Sequence, residues 1–260
     1  MFGWVQKYFC LNNLFLVYNL IVKNLKVRYR GSFVGMFWTV LIPAFTSIVY
    51  YLIFKFILKV TIENYLIFIM SGLIPWTFFS QGLASGLESI VSNQGLLNKV
   101  PLPPQSLVLS ETYTNLLNLV FSLPVLFTII IVGKIDLSLY MLQYFYFVFL
   151  LFLMANSMSL ILSFLYVYFR DLKFLVGIIL QFWFYLTPII YAKSMIPANY
   201  FNLFYYNPIG IMFISLHDSI LEPKPIPIEY YLASTAWTLF FLLFSIFILY
   251  KYEHDVVESL

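Results

Sequence analysis

Charged residues are scarce in this chain of 260 residues. Asp, Glu, Lys and Arg together make up 10% of it, whereas 62% of the residues are hydrophobic. Soluble domains contain about 25% charged residues, so a soluble protein is excluded. The net charge of +3 is also too small to indicate nucleic-acid binding. The composition therefore predicts an integral membrane protein.

Patterns for catalysis and metal binding are missing as well. A single cysteine, Cys10, excludes an internal disulfide and a cysteine metal cluster, and we interpret it as a small apolar filler. His217 and His254 are far apart and lack ligand spacing. No G-x-x-x-x-G-K-[ST] phosphate loop occurs, so the chain does not bind and hydrolyse nucleotide in that way. We therefore expect no catalytic residue, metal or cofactor in this chain.

Long apolar runs are what the sequence has in abundance. A helix needs roughly 20 apolar residues to cross about 30 Å of hydrocarbon. Charge-free windows of that order are 33–54, 64–87, 112–133, 137–169, 174–192 and 230–250. They predict an all-α integral membrane protein, a single transmembrane domain over 1–260 with six spans. Six crossings place both termini on the same side.

Basic residues give the orientation, because Lys and Arg are enriched in cytoplasmic loops. If the N-terminus is cytoplasmic, nine of the 14 lie inside: Lys7, Lys23, Lys26, Arg28, Arg30, Lys99, Arg170, Lys173 and Lys251. The other five lie outside: Lys55, Lys59, Lys134, Lys193 and Lys224. Both termini are therefore predicted to be cytoplasmic, with 251–260 as a tail. No cleavable signal peptide is predicted, since polar residues interrupt 1–22.

Residues 1–31 precede the first span and are predicted to hold a cytoplasmic or interfacial helix. At 100° per residue one face of this helix is polar, formed by Asn12, Asn19, Lys23, Lys26 and Arg30. A basic amphipathic helix of this kind lies in the headgroup plane, with its cations at the anionic leaflet. The predicted membrane-surface residues are Lys23, Lys26, Arg28 and Arg30. An ordinary cytoplasmic helix is the alternative.

The segment 193–229, between the last two spans, is too apolar for a solvated loop. Its apolar run 209–216 is shorter than a span, and such stretches more often form re-entrant or interfacial helices. Backbone that enters a membrane without crossing must be buried or face a water-filled cavity. We therefore predict re-entrant gate helices on the outer side, with gate residues Pro188, Tyr191, Asn207 and Pro208.

Two short cytoplasmic joints connect predicted spans. The joint 92–105 predicts a short helix ended by prolines, and 170–173 predicts a tight turn.

Small and hydroxyl residues share one face in several predicted spans. In the first span these residues are Gly35, Thr39, Thr46 and Tyr50, and in the second span they are Gly72, Pro75, Gly82 and Gly86. Such a face indicates helix packing in lipid or, alternatively, the wall of an aqueous path.

Six short motifs occur in order along nearly the whole chain. They are K-N-L-K-V-R-Y-R-G-S-F-V-G-M-F-W at 23–38, G-L-I-P-W-T-F-F at 72–79, N-Q-G-L-L-N-K-V-P-L-P at 93–103, F-R-D-L-K at 169–173, L-T-P-I-I-Y at 186–191 and Y-N-P-I-G at 206–210. Their order and the predicted topology resemble the membrane subunit of ABC exporters of the type 2 class. The closest resemblance is to the branch that moves lipid-linked polysaccharide such as O-antigen, capsule or teichoic acid.

This resemblance implies a half-transporter of the bacterial cytoplasmic membrane. Two copies pair, and two separate ABC ATPase subunits, which bind ATP and Mg, dock on the cytoplasmic side. The ATPase-coupling residues that it implies are Asn93, Leu96, Leu97, Lys99, Val100, Arg170 and Asp171. The implied partners are a second copy, the ATPase, lipid-linked polysaccharide and membrane lipid, without nucleic acid.

Aromatic residues reach 21% of the chain, and a sugar polymer would use them. Flat apolar rings meet the C–H faces of pyranoses, Tyr adds a hydroxyl, and Trp offers the largest face. The hypothesised substrate path comprises Phe37, Trp38, Tyr50, Tyr51, Phe182, Trp183 and Tyr185. Lipid-facing side chains and interfacial anchors are the alternative interpretation of these aromatics.

Three other functions compete with polysaccharide export. A drug or lipid ABC exporter subunit belongs to the same superfamily. A secondary transporter or channel usually needs ionisable groups near mid-membrane, and no confident window has one there. A membrane enzyme would need paired acid–base groups, which the sequence does not show.

Overall fold

The computed structural model describes residues 11–57, 59, 62–100, 102–135, 137–222 and 224–258. Lys7, Cys10, Pro101 and the last two residues of the predicted tail lie outside the described residues. Within these ranges the α-helices are α1 Leu11–Tyr29, α2 Trp38–Leu52, α3 Tyr65–Ser92, α4 Gln94–Leu97, α5 Pro104–Val132, α6 Leu142–Tyr168, α7 Leu172–Leu186, α8 Ala198–Phe201, α9 Gly210–Leu221 and α10 Ile228–Glu258. The described residues contain no strand, and the all-α membrane fold is confirmed.

Five of the six predicted windows contain helices long and apolar enough to cross a membrane: Gly35–Ile57, Tyr65–Ser92, Pro104–Val132, Leu139–Tyr168 and Ile228–Glu253. The window 174–192 contains only α7, whose 15 residues extend about 22 Å. Its helix stops at Leu186 because the residue before a proline is driven out of the α region, and Thr187 is extended. The count of six crossings therefore stays a prediction.

Several helices extend beyond their apolar windows. Helix α5 begins at Pro104, eight residues before the predicted start at 112, because proline suits the first helical position. Helix α3 continues past 87 to Ser92, where Glu88 pairs with Lys173 of α7 at 2.9 Å. Helix α10 continues through most of the predicted tail to Glu258. The pairing of Glu88 with Lys173 thus joins the polar end of α3 to α7.

Helix α3 lies at the centre of the bundle, in contact with α2, α5, α6, α7 and α9. At Gly86 an added Cβ would lie 2.6 Å from the Cβ of Ser159 in α6. The Ser159 hydroxyl also donates to the carbonyl of Gly82 at 3.1 Å. These glycines therefore allow close approach of two backbones, as small residues commonly do between membrane helices.

Prolines inside two spans leave backbone carbonyls without an intrahelical hydrogen bond, and side chains of other helices donate to these carbonyls instead. A proline has no N–H, so the carbonyl four residues earlier loses its intrahelical partner. For Pro75 this carbonyl belongs to Ser71, and the Tyr144 hydroxyl donates to it at 3.2 Å. For Pro43 it belongs to Thr39, which accepts from Ser122 at 3.2 Å. Since lipid offers no replacement partner, these bonds tie α3 to α6 and α2 to α5.

The bundle has two chemically distinct ends. We call the end where α1 packs on α5 the basic end; it also holds the α3–α5 joint and the α6–α7 turn. The opposite end holds the segment between α7 and α10, and we call it the gate end. There α9 is buried along nearly its whole length among α3, α6 and α10. Whether this segment is re-entrant stays a prediction.

Candidate functional site

A cavity of about 630 Å³ lies near the basic end between α1, α2, α3 and α5. We call it the basic-end cavity. Its lining combines apolar side chains with a set of polar ones, which includes Gln81 and Ser85 of α3, Glu111 and Asn115 of α5, and Arg28 of α1. Trp38, at the start of α2, supplies an aromatic wall. A volume of this size falls in the usual range for small-molecule sites.

Charges in this cavity are neutralised by partners. The guanidinium of Arg28 donates to the amide oxygen of Asn115 at 2.8 Å and pairs with Glu111 at 3.3 Å. The Asn115 amide nitrogen in turn donates to Ser85 at 2.8 Å. Glu88, at the rim, pairs with Lys173. The cavity therefore offers dipoles and paired ions rather than an excess of either charge.

A shallower groove of about 340 Å³ lies between α2, α3 and α7. We call it the aromatic groove. Tyr50 of α2 and Tyr185 of α7 both line it, and the Tyr50 ring stacks on Phe184 at 5.9 Å between centroids. Gln181 adds an exposed amide with no hydrogen-bond partner among the described residues. The described lining residues include no charged side chain, so the groove suits a neutral, hydroxyl-bearing chain.

The other predicted path aromatics lie elsewhere. Trp38 faces the basic-end cavity, and Tyr51 packs edge-on against Phe56. Phe37 and Phe182 are exposed on the outer surface of the chain. Trp183 is turned inward, where its indole N–H donates to Asn207 at 2.8 Å. The structure thus brings Tyr50 and Tyr185 together and separates the remaining five from them.

Two of the predicted gate residues, Asn207 and Tyr191, make hydrogen bonds back to the end of α7. The Asn207 amide accepts from Trp183 and donates to the Leu186 carbonyl and the Thr187 hydroxyl, both at 3.2 Å. Tyr191 donates to the Tyr185 carbonyl at 3.2 Å. Pro208 follows Asn207 in the turn that leads into α9. The break after α7 is therefore fastened back onto α7 itself.

His217 of α9 is buried next to these residues. Its Nε2 lies 2.9 Å from the carbonyl of Pro188, which can only accept, so the proton belongs on Nε2. Its Nδ1 then accepts from the Ser71 hydroxyl at 2.8 Å. The ring stacks on Phe68 at 4.0 Å. His217 thereby links α9, α3 and the proline break.

An ion cluster joins two ends of the same segment. Lys193 pairs with Asp218 at 2.7 Å and with Glu222 at 2.8 Å, and Lys224 also contacts Glu222. Burial opposes the charge of Lys193, but hydrogen bonds to the two carboxylates outweigh it and raise its pKa above the ordinary value. Lys193 is therefore charged at physiological pH and holds the start of the segment to the end of α9.

The predicted coupling residues lie at the basic end but differ in accessibility. Helix α4 is a single turn, Gln94–Leu97. Lys99 and Val100 are exposed, whereas Leu97 packs against a buried cluster that includes Ile90 and Leu249. The remaining residues on this surface are Asn93, Leu96, Arg170 and Asp171, of which the last two are exposed in the α6–α7 turn.

The three cations of α1 and Arg30, which directly follows it, fall into two pairs. Arg28 points into the basic-end cavity, and the Lys23 ammonium donates to the Asn93 side chain at 2.5 Å. Lys26 and Arg30 are exposed and make no described hydrogen bond or ion pair. The apolar side chains of Leu14, Phe15 and Tyr18 are exposed on the same helix.

Sequence reasoning did not single out the two amides that line the cavity and the groove, Gln81 and Gln181. They are uncharged and follow no motif, so an amide that interrupts an apolar window was the available signal. The contact of Glu111 with Arg28 joins residues that lie 83 positions apart, and no local pattern predicts it.

Comparison with known proteins identifies the family. A family model described as "ABC-2 type transporter" matches residues 16–221. The O-antigen export system permease protein RfbA of Klebsiella pneumoniae is 32% identical over 218 residues, covering 81% of this chain and 83% of the relative. RfbA of Myxococcus xanthus is 35% identical over 198 residues, covering 70% of each chain. The polysialic acid transport protein KpsM of Escherichia coli is 23% identical over 193 residues, covering 73% of this chain and 75% of the relative. The chain therefore belongs to the ABC-2 type transporter family.

Proposed function

We propose that this chain is the non-catalytic transmembrane subunit of an ATP-driven exporter that moves a lipid-linked polysaccharide across the bacterial cytoplasmic membrane. The relatives' names support a polysaccharide, since two are O-antigen export permeases and one is a polysialic acid transport protein. The aromatic groove is the observation that carries the proposal on this chain itself.

That groove has the chemistry of a path for sugars. Tyr50 and Tyr185 present rings to the C–H faces of pyranoses and hydroxyls to their polar edges. Gln181 is exposed and unpaired in the described part of the chain, and an unpaired amide in hydrocarbon costs several kcal/mol. This face of α7 is therefore better suited to water, sugar or a partner than to lipid.

Pairing of two copies through α2 and α7 fits this distribution. Both helices expose large side chains around the aromatic groove. In contrast, every exposed residue over 236–247 of α10 is apolar, as lipid requires. Two chains that join α2 and α7 would enclose their grooves as one path, while α10 faces the lipid.

Energy would come from two separate ATPase subunits docked at the basic end. The basic end carries the exposed α4 joint and the α6–α7 turn, which suit a cytoplasmic partner. Its excess of Lys and Arg supports placing this end and both termini in the cytoplasm. ATP and Mg would be bound by the partner, not by this chain.

Reconstitution tests the proposal. The purified chain alone should hydrolyse no ATP above background, and adding its ATPase should give ATP-dependent transfer of lipid-linked polysaccharide across a vesicle membrane. ATP turnover by the chain alone would contradict a non-catalytic subunit. Transfer of a drug or a plain phospholipid, with no transfer of the glycan, would favour the drug or lipid exporter instead.

A further inference from the structure

The basic-end cavity is separate from the aromatic groove and differs from it in chemistry. We propose that it is a sugar-binding site, which holds one sugar ring of the substrate in each copy before the polymer enters the groove. This inference rests on the proposed function. It adds a second sugar contact, at the basic end, to the path proposed along the aromatic groove.

Gln81 supplies the first argument. Its side chain is exposed at the cavity wall and makes no hydrogen bond to any described residue. A planar amide donates and accepts at once, which matches the hydroxyls of a sugar. The neighbouring Thr77 hydroxyl donates to the Leu73 carbonyl at 2.8 Å and keeps its own lone pairs for a ligand hydroxyl.

Trp38 supplies the second. It lines the cavity from α2, whereas Gln81 and Thr77 line it from α3, and the residue is 44% exposed, so part of its aromatic surface is accessible to a ligand. Pyranose rings have apolar C–H faces and polar edges. A flat aromatic on one wall and planar hydrogen-bonding groups on the other therefore fit such a ring on both of its surfaces.

The balance of charge selects a neutral ligand over an anionic one. The described lining residues include three charged side chains, Arg28, Glu88 and Glu111. Arg28 and Glu111 pair with each other, and Glu88 pairs with a lysine of α7. A diphosphate needs uncompensated cations for charge-assisted hydrogen bonds. The cavity has none to spare among these residues, whereas a polyhydroxylated ring needs none.

Size and position agree with this assignment. At roughly 30 Å³ per water molecule, the volume of about 630 Å³ equals that of about 20 waters, enough for a sugar ring with some of its hydration. Helix α2 connects the two sites, because Thr39 and Pro43 line the cavity while Thr46 and Tyr50 line the groove. These positions follow one another at helical spacing along one face.

The test measures binding of two lipids to the chain assembled with its ATPase in nanodiscs. One probe is the lipid-linked glycan, and the other is a polyprenyl diphosphate that carries no sugar. Gln81→Leu and Trp38→Leu should each weaken binding of the glycan lipid about ten-fold, the loss of one good contact to a ligand. Binding of the sugar-free lipid should be unchanged. Asn19→Leu removes an amide from exposed α1, outside the cavity, and should change neither.

Three results overturn the assignment. If both variants bind the glycan lipid as wild type does, the cavity is not a sugar site, although the proposed function stands. If the variants weaken both lipids equally, the cavity recognises the diphosphate. If wild type exports or binds no glycan lipid at all, the proposed function itself has failed.

A labelling experiment keeps the test decisive should a variant fold poorly. With Cys10→Ser as background, Gln81→Cys places one thiol in the cavity and Asn19→Cys places one outside it. Glycan lipid should slow alkylation of the thiol at 81 several-fold and leave the one at 19 unaffected, while the sugar-free lipid protects neither. Equal labelling rates at 81 with and without glycan would overturn the site.

Discussion

The span Gly35–Ile57 and helix α3 are both apolar, with one charged residue each, yet they occupy opposite environments. In the most apolar 18-residue stretch of α3, 78% of the residues are buried, against 11% in Gly35–Ile57. Hydropathy therefore indicates that a helix enters the membrane, but not what covers it. Glycines make the difference: α3 places Gly72 and Gly86 at tight contacts, whereas the other span has only Gly35, at its first residue.

The largest effect is expected where α3 is most tightly packed. Gly86→Ala places a Cβ 2.6 Å from the Cβ of Ser159, an atom that cannot move without its backbone. Overpacking of this kind costs about 1–3 kcal/mol. The purified chain should unfold at a clearly lower temperature in detergent.

Gly177→Ala is the matched control, because a Cβ at Gly177 of α7 meets nothing within 4 Å. It removes the same backbone freedom from an apolar helix without creating a clash. Equal loss of stability in both variants would show that α3 is not held by close packing at Gly86, and the contrast between the two regions would disappear.

The exposed region should respond in transport rather than in stability. Tyr50→Ala combined with Tyr185→Ala removes two of the four aromatic rings that line the groove, each a contact of about 0.5–1.5 kcal/mol with a second ring system. Export of the glycan should fall about ten-fold, while unfolding temperature and ATP hydrolysis stay near wild type. A vesicle transport assay measures the export rate, and calorimetry measures the unfolding temperature.

Tyr50→Phe with Tyr185→Phe separates the rings from the hydroxyls. Retained export in the Phe pair with loss in the Ala pair assigns the effect to the rings. Wild-type export in both would place the path elsewhere. Trp183 is left out of this test because its indole holds Asn207, so its loss would disturb this gate residue as well.

The sequence allowed the fold class, five of the spanning helices and the apolar segment after α7 to be predicted, because long apolar runs and proline breaks are local signals. Pairings between distant residues were not accessible. Nothing near Arg28 points to Glu111, and nothing near Trp183 points to Asn207, since each contact joins two helices whose relative rotation is set by packing. Likewise, seven aromatics were chosen for the path by ring size and helix position, and only the packing of α2 against α7 shows which two share a groove.

A cross-linking experiment would show what covers the exposed span. In a Cys10→Ser background, Val49→Cys places a thiol on the exposed face of α2, and Leu243→Cys places one on the apolar face of α10. If two copies meet through α2 and α7, mild oxidation should join chains through position 49 far more than through position 243. Cross-linking through position 243 alone would assign α10 to the pairing surface and α2 to lipid.

The smallest effect is expected at α1, where exposure and pairing occur on the same helix. Lys26 and Arg30 are exposed without a described partner, so each should contribute about 1 kcal/mol of attraction to an anionic membrane surface. Arg28 is held by Asn115 and Glu111 and should contribute to packing instead.

Lys26→Gln with Arg30→Gln should therefore make a label at Asn19→Cys, in a Cys10→Ser background, more accessible to an aqueous thiol reagent. The difference should be large in vesicles of anionic lipid and vanish in neutral ones, because the attraction is electrostatic. Arg28→Gln, which removes one charge from α1, should lower thermal stability and leave the lipid dependence unchanged. If Arg28→Gln and the double variant shift labelling alike in anionic vesicles, the cations act through net charge alone, and the division of α1 into a packing side and a membrane side is wrong.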